Sequence, residues 1–212
     1  MDKIINTDEI YEILKKRIVN IEYEPGQVLN EEDIATEFKV SRTPIRKIFQ
    51  QLNADKLINI IPRFGAQVTP IDFKYMKSVF EVTREIDPFA ARLAASRISK
   101  AQIEELEEIM DRFQTYDLDK DYQKAINDDE RFHDIIFLSS GNQCLADLLK
   151  GLHLHTERLW HYSEQYIDSM DIFTDTLGKV LKAIKEKNYE DAEKYAREHI
   201  DAFVEKIKQE ML

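Results

Sequence analysis

The chain contains a single cysteine, Cys144. No internal disulfide can form, and a zinc site built of several thiolates is excluded. A reducing compartment suits such a chain. Only 5 glycines and 5 prolines occur in 212 residues, which leaves few turns and room for long helices. No apolar run approaches the ~18 residues of a membrane span. The opening "MDKIINTDEI" lacks the apolar centre of a secretory leader. The expectation is a cytoplasmic protein with no membrane partner. A phosphate-binding glycine loop, a cofactor fingerprint and a nucleophile motif are also missing.

What is present is a segregation of charge. The formal net charge is −11 at pH 7. Residues 1–70 carry 10 Lys or Arg against 11 Asp or Glu, and the remainder carries 20 against 30. Residues 21–37 hold six acids and no base, whereas residues 39–63 hold six bases and one acid, Asp55. Net charge bears on solubility, but local segregation bears on partners. A solvated helix face is the ordinary explanation of a charge run. The order of elements around this one argues against it.

Thr7 or Asp8 can cap a first helix with apolar positions Ile10, Ile13, Leu14, Ile18 and Ile21. Pro25-Gly26 makes a turn. Asn30, with Asp33 three residues on, suggests a capping box for a second helix over 31–38. Ser41 is placed to cap a third, with Pro44 in its first turn where a missing N–H is harmless. On that helix Ile45, Ile48, Phe49 and Leu52 share one sector at about 100° per residue, and Arg42, Thr43, Arg46, Lys47, Gln50 and Asn53 share the other. "KLINIIPRFGAQVT" then reads as two short strands joined by Pro62-Arg63-Phe64-Gly65, with Gly65 free to take positive φ. Three helices followed by a β-hairpin make a winged helix-turn-helix over residues 1–70.

Such a module answers the charge pattern. A double-stranded DNA operator is a dense row of phosphates, and its partner needs local positive charge whatever the rest of the chain carries. Arg42 and Arg46 suit bidentate contact with guanine, while Ser41 and Thr43 suit phosphate. Lys47 and Gln50 lie further along the same face, and Arg63 at the wing tip can reach the minor groove or the backbone. One recognition helix reads only a few base pairs, so a homodimer on a near-palindrome is expected.

Residues 71–212 read as all-helical, with helices over about 72–98, 100–115, 119–139, 142–168, 171–187 and 189–211. Pro88 is expected to kink or break the first. On the helix over 119–139, Asp129 and His133 lie on the apolar stripe of Tyr122, Ala125, Ile126, Phe132 and Ile136. On the last helix His199 lies on the stripe of Ala192, Tyr195, Ala196, Phe203 and Ile207. A carboxylate on a core face needs a partner, and an Asp–His pair at i, i+4 can bind one metal or form a hydrogen-bonded pair without it. A metal-dependent hydrolase using Asp129, His133 and His199 is the alternative function. His153 and His161 read as surface or cavity-lining and Cys144 as a packing residue. Trp160, Tyr162 and Tyr166 read as core or pocket wall.

"PGQVLNEEDIATEFKVSRTPIRKIFQQLNADKLINIIPRFGAQV" resembles the DNA-binding domain of the GntR family of bacterial transcription regulators. Pro25, Gly26, Leu29, Glu31, Ile34, Ala35, Val40, Ser41, Arg42, Thr43, Pro44, Arg46, Leu52, Leu57, Gly65 and Val68 carry the match. "IDPFAARLAASR", "NDDERFHDIIFLSSGNQCLADLL" and "LGKVLKAIKEKNYEDAEKYAREHI" resemble segments of the FCD effector domain of the FadR subfamily. The resemblance implies a transcription regulator whose helical domain binds a small-molecule metabolite effector, often with one divalent metal such as zinc, nickel or manganese. It implies Asp129, His133 and His199 as ligands, with Leu177 where relatives carry a further His. His155 is a weak substitute for that ligand. Thr83 stands where relatives have an effector-gripping Arg, and Arg84 lies beside it. The effector cavity is expected between Thr83, Arg84, Asp129, His133, Leu177 and His199.

Overall fold

The structure is a computed structural model that describes residues 6–164 and 169–211. The chain divides into two units, Met1–Asp72 and Phe73–Leu212.

In the first unit, α1 (Thr7–Val19) is capped by Asn6, one residue before the expected position. Asn6 Oδ1 accepts from the Glu9 N–H at 2.8 Å and Glu9 Oε2 accepts from the Asn6 N–H at 3.0 Å. This reciprocal box decides the start, because the acid lies three residues after Asn6 rather than after Thr7 or Asp8. α1 buries Ile10, Leu14, Ile18 and Val19. At α2 (Glu31–Glu37) Asn30 accepts from the Glu32 N–H at 2.7 Å, and Asp33 does not complete a box. α3 (Arg42–Ala54) follows Ser41, which holds the N-cap position without a side-chain cap bond.

The wing is larger than the expected hairpin. β1 (Val28–Leu29) joins β2 (Ile58–Ile61) and β3 (Gly65–Val68) in an antiparallel sheet of order β1-β3-β2. Val28 pairs with Gln67 and Leu29 with Ala66. Two residues carry too little alternation to be read as a strand, but they satisfy the second edge of β3. Gly65 takes φ +117°, and a Cβ there would lie 2.2 Å from the Leu29 carbonyl oxygen. Leu29, Ile45, Ile48, Phe49, Leu52, Leu57, Ile58, Ala66 and Val68 close the core beneath the wing and α3.

The second unit holds α4 (Phe73–Arg97), α5 (Lys100–Phe113), α6 (Leu118–Ser139), α7 (Gln143–Tyr162), α8 (Asp171–Lys185) and α9 (Tyr189–Met211). α4 packs against α6, α7, α8 and α9 and is the axis of the bundle. It buries Ala90, Ala91, Ala94 and Ala95, small residues that let neighbouring helices approach closely. Pro88 lies inside α4, which runs unbroken past it. α7 ends at Tyr162, short of the expected residue 168. Tyr166 falls outside the described residues. No helix among the described residues is long and apolar enough to cross a membrane.

Candidate functional site

In the first unit the polar face of α3 is open. Ser41, Arg42, Thr43, Arg46, Lys47 and Gln50 are exposed, Pro44 is half-buried, and Ile45, Ile48, Phe49 and Leu52 face the core. Amphipathic spacing forces this split: the apolar sector must be buried, so the basic sector faces solvent. The wing tip turns through Arg63 at φ 71° and Gly65, which leaves Arg63 and Phe64 exposed. The start of α2, the first turns of α3 and the wing tip share a concavity of about 460 Å³, bordered by Glu31, Arg42, Arg46, Arg63 and Gly65. Two arginines from the start of α3 and one from the wing tip thus flank one surface.

Glu31 carries part of the family match, and the sequence alone assigns it no role. Its Oε2 accepts from Arg46 Nε at 2.8 Å and from Arg42 Nη2 at 3.2 Å. Burial opposes its ionisation, but hydrogen bonds from Arg46 and Arg42 outweigh that and hold its carboxyl below the usual range. The pairing leaves the two side chains over half exposed, at 53% and 61% for Arg42 and Arg46. A carboxylate behind the two arginines fixes their direction while leaving donors for DNA.

In the second unit, Asp129 and His133 from α6 and His199 from α9 come together. One ligand atom from each lies within 4.8 Å of the others, and all three residues are buried. His133 Nε2 is 3.3 Å from His199 Nε2 and 3.8 Å from Asp129 Oδ1. His199 Nδ1 is 2.7 Å from Thr176 Oγ1. A proton on Nδ1, donated to Thr176, leaves the Nε2 lone pair facing His133. Asp129 Oδ1 is buried with no hydrogen-bond partner.

The charge state follows from burial. Desolvation, then the charges of Glu130 and Asp87, push the Asp129 carboxyl well above its usual range. Desolvation, then His153 and His199, hold His133 well below the ordinary imidazole range. Desolvation also brings His199 down to about 4, with Asp87 opposing. Without a cation the site therefore favours neutral groups. A divalent ion fits these residues. It would engage the unpartnered oxygen and neutral imidazoles, and 3.3 Å is near the edge of a tetrahedron of ligands about 2.1 Å from its centre.

The structure adds two residues to this cluster. Asp87 of α4 is buried and lies 2.9 Å from His153 Nε2 and 3.9 Å from His133 Nδ1. His153, read from sequence as surface or cavity-lining, does line a cavity and is also the acid's hydrogen-bond partner. Its spacing to Leu149, Thr156 and Trp160 on one face of α7 is the signal that could have placed it inward. His155 instead packs edge-on against Tyr75, with ring centroids 5.2 Å apart. His161 is buried rather than exposed, 3.8 Å from Glu130. Trp160 both stacks on Phe203, at 4.0 Å between centroids, and lines the cluster. Tyr162 is exposed.

Asp129, His133, His153, His199 and Thr83 line a cavity of about 30 Å³. Leu177 lies on the other side of His133 and His199, in a smaller space shared with Asp87. Thr83 Oγ1 donates to the Val79 carbonyl at 3.1 Å within α4. Arg84 does not join them. It is exposed and paired with Asp201 at 2.6 and 3.0 Å, because one residue step turns it about 100° away from Thr83. Cys144 is exposed, against the reading as a packing residue. At the start of α7 the inward positions are taken by Leu145, Ala146 and Leu149.

Residues 6–68 match the family model described as bacterial regulatory proteins, gntR family, and residues 78–202 match the FCD domain. The HTH-type transcriptional repressor RspR of Escherichia coli K12 is 24% identical over 201 residues, 95% of this chain and 88% of RspR. The gluconate operon transcriptional repressor of Bacillus subtilis is 26% identical over 197 residues, 92% of this chain and 72% of that protein. Escherichia coli McbR/YncC superposes with a TM-score of 0.84 at 19% identity, covering 96% of this chain and 97% of McbR/YncC, a likeness of fold. Both matched domains are those of regulators, which sets aside the hydrolase reading of Asp129, His133 and His199. A basic recognition helix beside an arginine-tipped wing and a helical second unit are thus the parts of a DNA-binding transcription regulator, and the chain belongs to the gntR family with an FCD domain.

Proposed function

We propose that this regulator binds a near-palindromic operator as a homodimer, and that a small-molecule effector entering the helical unit changes its DNA affinity. Ser41, Arg42, Thr43, Arg46, Lys47, Gln50 and Arg63 make the operator contacts, with Pro44 and Gly65 shaping the helix start and the wing. Chromosomal DNA as target puts the protein in the cytoplasm. The relatives named as repressors support repression as its sense.

The observation that carries the effector site is the unpartnered Asp129 oxygen beside two convergent imidazole nitrogens. A buried carboxyl oxygen without a hydrogen-bond partner costs stability, and a divalent cation at Asp129, His133 and His199 supplies what it lacks. The cation would offer an anchoring charge to the effector. The cavity of about 30 Å³ has room for an ion or a water, so a metabolite must move side chains to enter. That requirement couples binding to the packing of α4, α6, α7 and α9. With Thr83 on one wall and Leu177 behind the histidines, the site lacks a basic side chain and suits a weakly acidic effector.

The test is operator binding by fluorescence anisotropy with the protein's own promoter, with and without zinc, nickel or manganese and a panel of metabolites. A metabolite that shifts operator affinity in the wild type and not in Asp129→Ala supports the reading. Operator binding that no metabolite or metal alters, with no metal bound, rejects the sensing part.

A further inference from the structure

We infer that Phe64 is an apolar wedge of the wing, pressed into the minor groove beside each half-site, and that it makes the protein prefer an easily unstacked base step there. The inference rests on the reading that α3 and the wing tip contact one operator. Among the described residues of the first unit, the exposed large apolar side chains are Val28, Ile60 and Phe64, all on the wing. Phe64 is 71% exposed. One exposed apolar residue is ordinary, but Ile60 and Phe64 border the same concavity as Arg42, Arg46 and Arg63. An apolar patch thus lies on the face that carries the recognition arginines.

The turn holds Phe64 in place. Its N–H donates to the Ile61 carbonyl at 3.1 Å, with Pro62 and Arg63 between them. Pro62 fixes its own φ, and Arg63 takes φ 71°. That second position favours glycine or asparagine, so the arginine is held against its backbone preference. Arg63 and Phe64 are both exposed, and no core contact offsets the strain. What the turn achieves is a cation and an aromatic ring side by side. Consecutive Cα atoms lie about 3.8 Å apart, so Arg63 on a backbone phosphate brings the Phe64 ring to the adjoining sugar and base edges. The ring has no donor or acceptor and reads no hydrogen-bond pattern. It discriminates by the cost of opening a base step. An apolar wedge needs partial unstacking, and a TA step yields more readily than a stiff A-tract.

Hydroxyl-radical footprinting of the full-length protein on its own promoter locates the minor-groove steps beside each half-site. Duplexes with TA or AA at that step differ in stiffness but present the same kinds of minor-groove acceptor. Wild type is expected to prefer TA roughly tenfold. Phe64→Leu should keep most of that ratio and Phe64→Ala should lose it. 2-Aminopurine at the step should brighten when wild type binds and not when Phe64→Ala binds. Arg42→Ala, which weakens binding through α3, should keep the wild-type ratio. Equal affinity of wild type for the two duplexes, or the same ratio in Phe64→Ala, overturns the wedge and leaves the α3 contacts standing. A footprint that leaves those minor grooves open overturns the placement of the wing as well. The wild-type ratio and 2-aminopurine signal decide even if a variant fails to fold.

Discussion

Arg46 Nε donates a 2.8 Å hydrogen bond to Glu31 Oε2, the same oxygen that accepts from Arg42. An acid thus stands behind both recognition arginines, on the adjoining helix. It lowers the positive potential that any phosphate backbone would feel and leaves the outward donors in place. Glu31→Gln should strengthen binding to non-operator DNA roughly severalfold and steepen its salt dependence, while the ratio of operator to non-operator affinity falls. Anisotropy titrations on operator and scrambled duplexes at several salt concentrations read both quantities. An unchanged ratio would mean that Glu31 does not set the direction of the arginines.

Arg42→Ala and Arg46→Ala should each weaken operator binding by roughly 1–3 kcal/mol if they reach base edges. Their side chains lie on the exposed face, so melting temperatures should stay close to wild type. Arg63→Ala should cost less and lower the salt slope by about one. Full operator affinity in the Arg42→Ala, Arg46→Ala double variant would contradict the interface.

Gly65→Ala tests the wing separately. Its φ of +117° is disfavoured for any side chain, and the added Cβ would meet the Leu29 carbonyl oxygen at 2.2 Å. β1 and β3 must then part. The expected loss exceeds about 1 kcal/mol, measurable by denaturant unfolding, and operator affinity should fall with it. Wild-type stability in this variant would show that β1 does not pair as described.

Asp129→Asn separates the metal from the fold. Metal-free, the variant should be at least as stable as metal-free wild type, because it removes a buried acid that has an unpartnered oxygen. With zinc, only the wild type should gain stability, by about 2.7 kcal/mol at a hundredfold excess over Kd. Differential scanning fluorimetry with and without zinc makes the comparison. Equal zinc stabilisation of both proteins would remove Asp129 from the ligand set.

Local pattern made much of this legible. The amphipathic split of α3, the wing turn at Gly65 and the inward stripe holding Asp129 and His133 are set within one or two helical turns. They survive folding because each helix has only one apolar face to bury. Asn6, rather than Thr7 or Asp8, starts α1 for a reason equally local, the acid three residues on. Cys144 shows the limit of that local reading: an apolar residue type at a helix start stays outside when Leu145, Ala146 and Leu149 already fill the core face.

Residue identity and helical period determined which faces carry basic, acidic and ligating groups. They left open what those groups meet, because partners lie far apart in the chain. Glu31 reaches arginines 11 and 15 residues away only through the packing of α2 on α3. His133 and His199 meet across 66 residues, as do Asp87 and His153, because α4 runs against α6, α7 and α9. Whether an inward-facing histidine is a ligand, a hydrogen-bond partner such as His153 to Asp87, or a packing ring such as His155 on Tyr75 depends on which helix lies opposite. That choice belongs to the bundle as a whole, since only the packed helices exclude water and bring charges from separate segments within a few ångströms.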